Sequence, residues 1–202
     1  TYQGQLDQAI ELIQERSKEL RRVGDLQRLN YNYFIITLIY LILGDLNQGR
    51  SSAEELIDLA DMNMASKSVS RSLLSRIYSR TGNVDKGQEL LDQAHRMGEI
   101  TQTHFYDRVF RLWAQADLYV AEEKWEAAWQ TYEELVNLTG EKNFRWFSRQ
   151  ASVDWAEALL KRGEPEDVKR AREILQESQK DYQEMGAEGF VKFIEDKLAQ
   201  IE

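Results

Sequence analysis

Five short breaks cut this chain at nearly equal intervals, and no other feature limits its fold as much. They read Gly4-Gln-Leu-Asp-Gln-Ala9, Gly44-Asp-Leu-Asn-Gln-Gly49, Gly82-Asn-Val-Asp-Lys-Gly87 and Glu123-Lys-Trp-Glu-Ala-Ala128. The fifth, Gly163 to Ala171, carries three extra residues, with Pro165 near the start of the next helix. The starts lie 40, 38, 41 and 40 residues apart. A fixed period of this size marks one supersecondary unit used repeatedly, each unable to bury its apolar face alone. Between the breaks the spacing of apolar residues is helical, and no strand-like alternation persists. The pattern predicts helices over 5–23, 27–43, 47–62, 66–81, 85–97, 103–122, 125–139, 143–162, 166–185 and 187–201. The chain is thus expected to be all-α, a right-handed α-α superhelix of about five helix-turn-helix repeats. It reads as one array over 1–202 with a terminal helix at 187–201.

Size matters as much as polarity within each unit. Four residues before the last four breaks stand Tyr40, Tyr78, Tyr119 and Leu159. Three residues before those stand the small Thr37, Ser75, Ala116 and Ala156. Five residues after a break start the residue is small again, as Ala9, Gly49, Gly87 and Ala128. Small residues at both places let paired helices approach closely, with the large residue filling the space beside them. Leu112 to Trp129 shows the unit whole: a helix end, a reversal at Glu122–Lys124 and a returning helix. Gly24, Gly98, Gly140 and Gly186 read as C-caps of the returning helices.

Composition removes several function classes. A net charge of −9 disfavours a nucleic-acid binder, whose footprint would be basic. With no Cys there can be no disulfide, thiolate metal site or Cys nucleophile. No signal peptide opens the chain, and a cytoplasmic setting is expected. It starts on Thr1 rather than Met, as a fragment of a longer protein or a processed chain would. Phe34–Leu43 is almost wholly apolar, but a membrane span needs ~20 such residues, and Asn30 and Asn32 interrupt this stretch. A helix apolar on all sides is a buried helix. Tyr31, Phe34, Ile35, Leu38 and Ile42 are therefore expected to meet an upstream repeat or a second copy of the chain, as a homodimer.

A small residue, then Tyr, then Gly-Asp, then Ala resembles the tetratricopeptide repeat. The resemblance covers essentially the whole chain: four recognisable repeats, an initial half and a terminal helix. The period is longer than the family's usual one, and the family's Pro after the second helix is absent. A period near 40 with Gly ending the second helix looks like the repeats of large bacterial signal-transduction ATPases and regulators related to the activator of the maltose regulon. Gly-terminated long repeats also occur in kinesin light chains and peptide-sensing regulators. The resemblance implies a non-catalytic scaffold, the sensor or docking segment of a bacterial regulator. It would bind a protein or peptide segment, or a small molecule, and neither nucleic acid nor membrane. The other reading is a structural module that self-associates through helix 31–43.

The resemblance also implies that the first helix of each pair lines a concave groove. Carried onto this chain, the groove positions are Phe34, Leu38, Leu41 and Ile42; Ser72, Arg76, Ser79 and Arg80; Trp113, Asp117, Val120 and Ala121; and Val153, Glu157, Leu160 and Lys161. The basic section is distinctive, because no acidic residue occurs between Met62 and Val84 while Lys67, Arg71, Arg76 and Arg80 do. Arg76 and Arg80 are four apart and share a helix face. They could hold a carboxylate or phosphate, or pair with Asp117 and Glu157. The Asn and Lys residues with which some family members clamp a C-terminal carboxylate are missing: the matching positions hold Leu38, Arg76, Asp117 and Glu157.

All five Trp lie between Trp113 and Trp155. At helical spacing Trp125, Trp129 and Trp155 read as core. Trp113 and Trp146 suit the core or a binding surface equally. No catalytic constellation is expected. His95 and His104 fall on different helices, and a metal needs about three or four converging ligands. Phosphate-loop, nucleophile-elbow and dinucleotide motifs are absent. The sequence therefore predicts no metal, no cofactor and no enzyme.

Overall fold

Each break does two jobs: it ends one helix and caps the next. Gly24, Gly44, Gly82, Gly163 and Gly186 all take the left-handed conformation, with φ between 68° and 80°. The residue after the glycine then caps the following helix in three cases. Asp25 and Asp45 accept from the backbone N–H of Arg28 and Gln48, each at 3.1 Å, and Asn83 accepts from that of Lys86 at 3.3 Å. Each such cap contributes about 1 kcal/mol. Glu123 occupies the glycine position of the fourth break and takes the same conformation, at φ 58°. That costs a residue with a Cβ roughly 1–2 kcal/mol.

The computed structural model describes residues 2–63, 67–100, 105–142 and 144–201. They form ten helices: α1 Tyr2–Val23, α2 Leu26–Leu43, α3 Leu46–Asn63, α4 Lys67–Arg80, α5 Val84–Ile100, α6 Phe105–Ala121, α7 Trp125–Glu141, α8 Arg145–Arg162, α9 Pro165–Glu184 and α10 Glu188–Leu198. No strand occurs among the described residues. All ten expected helices are present with shifted ends; the expected starts at 66, 103 and 143 lie outside the described residues. Two compact units result, one from Leu6–Ala128 and one chiefly from Trp129–Glu202.

Gly98 and Gly140 are not C-caps. Both lie inside helices, which run on to Ile100 and Glu141. At Gly98 the missing Cβ leaves room for the Arg111 guanidinium, which a side chain there would strike. Arg111 reaches Ser68 Oγ at 3.4 Å from this position.

Packing within pairs follows the small residues. Thr37, Ser75, Ala116, Ala128 and Ala156 are all fully buried. A Cβ on Gly49 would stand 3.4 Å from Tyr40 Cβ, and one on Gly87 would press into Ser79 Oγ. In the first unit α4 packs on α3, α5 and α6, while α2 packs on α3. Ile10, Ile36, Ile39 and Tyr40 join α1 to α2. In the second unit Val153, Ala156 and Leu159 of α8 meet Ala171, Ile174, Leu175 and Tyr182 of α9, with Ile194 of α10.

The most deeply buried helix is the polar one. Most of α4 is buried although eight of its fourteen residues are serine or arginine. Ser70 donates to the Lys67 carbonyl and Ser72 to that of Ser68 within the helix, and Ser75 donates to that of Gly87 in α5, at 2.7 to 3.0 Å, while the buried Ser79 hydroxyl finds no partner among the described residues. The apolar α2 is buried at Ile36–Leu41, yet Tyr31 stays 62% exposed.

Candidate functional site

The acid-free stretch contributes every cation of α4, and each meets an acid from a neighbouring helix. Lys67 and Arg71 reach Asp61 at the end of α3, at 3.5 and 2.8 Å. Arg76 Nε donates to Asp117 Oδ2 of α6 at 2.7 Å. Arg80 donates to both oxygens of the same carboxylate, at 3.0 and 3.2 Å. The side chains of Arg76 and Asp117 are only 2% and 4% exposed, that of Arg80 21%. Burial by itself would raise the Asp117 carboxyl. The charges of Arg80 and Arg76 and their hydrogen bonds outweigh it and hold the group below the usual carboxylate range. At Asp61 the hydrogen bond from Arg71 is the main cause of a similar lowering.

Of the two readings open for Arg76 and Arg80, the geometry shows internal pairing. Both donate to Asp117. Glu157 is bound instead to Lys197 of α10.

An aromatic seam continues from this network. The Arg76 guanidinium lies 4.2 Å from the centre of the Trp113 ring. Trp113 stacks on Phe110, and Phe110 meets the edge of Phe34 at 5.5 Å, so α2 touches α6. Tyr31 lies beside Phe34 at the exposed end. Trp113 is 1% exposed and belongs to the core; the surface option is closed for it because Arg76 covers its face. Trp125, Trp129 and Trp155, expected as core, are only half-buried. Trp129 and Trp155 carry Arg162 and Arg170 over their faces, which shields them without full enclosure. Trp146 is half-buried against Phe147 and Phe190.

The groove positions therefore differ greatly in access. Leu38, Ser72, Arg76, Trp113, Asp117 and Val153 are buried, Phe34, Arg80 and Glu157 are partly accessible, and Lys161 is exposed. Among the self-association residues Leu38 is buried, Ile35 packs on the α1–α2 core, and Phe34 and Ile42 are partly covered, which leaves Tyr31. His104 lies outside the described residues. Among those described, no group of three metal-ligating side chains converges, and no helix is long and apolar enough to cross a membrane.

Sequence reasoning missed a cleft of about 630 Å³ in the first unit. α1 and α3 form its walls and α2 its floor. Gln14, Lys18 and Arg22 come from α1, Gln48 and Glu55 from α3, and Tyr33 and Tyr40 from α2. At one end Arg21 donates to Glu55 at 2.7 Å and to the Tyr33 hydroxyl at 3.1 Å. At the other, Gln14 donates to the Tyr40 hydroxyl at 3.4 Å. Burial pushes that phenol up, and Asp45 adds to the effect. The signal for this cleft was a polar stripe at helical spacing on each wall, but two such stripes reveal nothing until α1 and α3 are known to face each other.

An all-α array of helix pairs, each built on the same small-residue contacts, defines a tetratricopeptide-like helical-repeat fold. A crystal structure of nearly identical TPR-like repeats, from a protein named as a candidate kinesin light chain of Podosopora anserina, has this fold. It superposes with a TM-score of 0.50 over 92% of this chain and 90% of that one, at 16% identity. No family model matches the sequence, and no curated protein does.

Proposed function

We propose that the chain is a non-catalytic binding scaffold, the sensor or docking segment of a larger bacterial regulator in the cytoplasm, with 1–202 forming one array. The observation that supports it is the Arg76–Asp117 pair. These residues occupy the same place in consecutive repeats, and burying them against each other holds successive helix pairs in fixed register. Arg76, Asp117 and Trp113 are used to keep helices in place. That is what a surface for partner recognition requires. The partner would be a protein or peptide segment, or a small molecule, meeting the first helices of the pairs where Tyr31, Phe34 and Arg80 remain accessible. The bacterial regulatory setting rests on the period near 40 alone, because Gly98 and Gly140 do not end their helices. The 62% exposure of Tyr31 favours a second reading, self-association through α2.

The test is capture of partners on the immobilised chain, followed by hydrogen-exchange footprinting of the complex. Protection along α2, α4 and α6 in the presence of a captured protein supports the scaffold reading. Mass that rises with concentration, with protection confined to α2 and no other protein bound, supports self-association.

A further inference from the structure

We infer that the cleft between α1 and α3 binds a small organic anion, a molecule with a flat apolar body and one carboxylate or phosphate group. This lies outside the groove of first helices and does not depend on the scaffold reading. Two observations carry it. Lys18 and Arg22 are four residues apart on one face of α1, line the cleft and make no hydrogen bond or ion pair among the described residues. The remaining lining charges, Arg21 and Glu55, neutralise each other. The cleft therefore offers two uncommitted positive charges in a protein of net charge −9.

Its size and ends select the class of ligand. Gln14 to Arg21 spans seven helical steps, roughly 10 Å. The Gln14–Tyr40 contact stands at one end and the Arg21–Glu55–Tyr33 contacts at the other. A trough bounded in this way suits a compact molecule better than a chain running through it. The volume of about 630 Å³ falls among small-molecule sites, which run from about 300 to 1,000 Å³. Tyr33, Tyr40 and Ile36 give an apolar floor, with Gln48 beside it. The anionic group would sit at Lys18 and Arg22, held by charge-assisted hydrogen bonds.

The test titrates the labelled protein with 2-naphthoate, 2-naphthyl phosphate, inorganic phosphate and the neutral 2-naphthamide, following backbone amide resonances at low salt. The expected result is saturable shifts confined to α1, α2 and α3 with one or both naphthyl anions and far weaker ones with the amide. Whichever anion binds tighter identifies the group the cleft takes. Inorganic phosphate tests the anionic site without the body and should bind more weakly than naphthyl phosphate. A Lys18→Ala, Arg22→Ala variant should lose about tenfold or more in affinity, as expected for removing hydrogen bonds to charged groups. Both side chains are exposed and unpaired, so the variant keeps its fold, which an unchanged thermal transition would verify. Equal binding of amide and anions, unchanged affinity in the variant, or no shifts at α1–α3 would overturn the inference.

Discussion

Arg76 and Asp117 stand six residues before consecutive breaks, 41 residues apart, and share a hydrogen bond of 2.7 Å that neither helix could satisfy alone. Equivalent positions of adjacent repeats thus carry opposite charges and meet. Removing the acid takes the shared carboxylate from the buried Arg76 and the partly accessible Arg80. Asp117→Ala should lower unfolding free energy by about 3–5 kcal/mol, read from urea titration. Replacing the pair as Arg76→Met, Asp117→Leu should cost less than the single change, because only the more exposed Arg80 then loses the carboxylate, while the buried charge of Arg76 is removed with it.

The same carboxylate sets an acid limit. Its folded pKa is lower than its unfolded one, so the protonated form favours the unfolded chain. The stability it supplies is complete above the unfolded carboxylate pKa of about 4. It declines as pH drops from there through the depressed folded value. Denaturation midpoints of the parent chain should fall across that acid range, and Asp117→Asn should flatten the part of the slope due to this group. Equal slopes in both proteins would refute the assignment.

Two glycines inside helices should respond in opposite ways. Gly140 in α7 has no neighbour nearer than Ser148 Oγ at 3.9 Å from an added Cβ. Gly140→Ala should therefore stabilise by about 0.5–1 kcal/mol through helix propensity. A Cβ added at Gly87 would stand 3.4 Å from the backbone of Ser75 and of Ser79 and nearer still to the Ser79 hydroxyl. Gly87→Ala should destabilise by about 1–2 kcal/mol despite the same propensity gain, because α4 and α5 must part. Calorimetric melting of the two variants makes the comparison directly.

On α2 the seam divides into a structural and a free end. Phe34 packs edge-on against Phe110, and Phe34→Ala should cost about 1–3 kcal/mol. Tyr31→Ser should change stability by no more than about 0.5 kcal/mol. If it also abolishes any concentration-dependent rise in mass under light scattering, Tyr31 is the contact between copies; if the mass is unaffected, α2 is not that contact.

Helix number and position were legible because they depend on local chemistry. Gly-Asp ends one helix and caps the next, and it does so at 24, 44 and, with Asn, at 82. The small residues at Thr37, Ser75, Ala116 and Ala156 could be placed at close contacts because they recur at one register. Gly98 and Gly140 were misread for the same reason: composition alone cannot separate a glycine that ends a helix from one that makes room for Arg111. Trp113 and the half-buried tryptophans were not separable either, since an arginine lying over an indole leaves no periodic trace.

What the sequence by itself determined is the repeat: its period, its helix pairs and the faces on which small residues let them meet. Those follow from backbone preferences and from spacing within one helix. Only the tertiary structure decided which polar residues are interior. α2 is apolar on all sides yet keeps Tyr31 in solvent, and α4 is rich in serine and arginine yet is nearly all buried. Burial of a polar helix depends on whether distant helices deliver partners for its charges. Asp61 of the preceding helix and Asp117 of α6 do so for α4, and the repeat register offered Asp117 only as one of several possible partners.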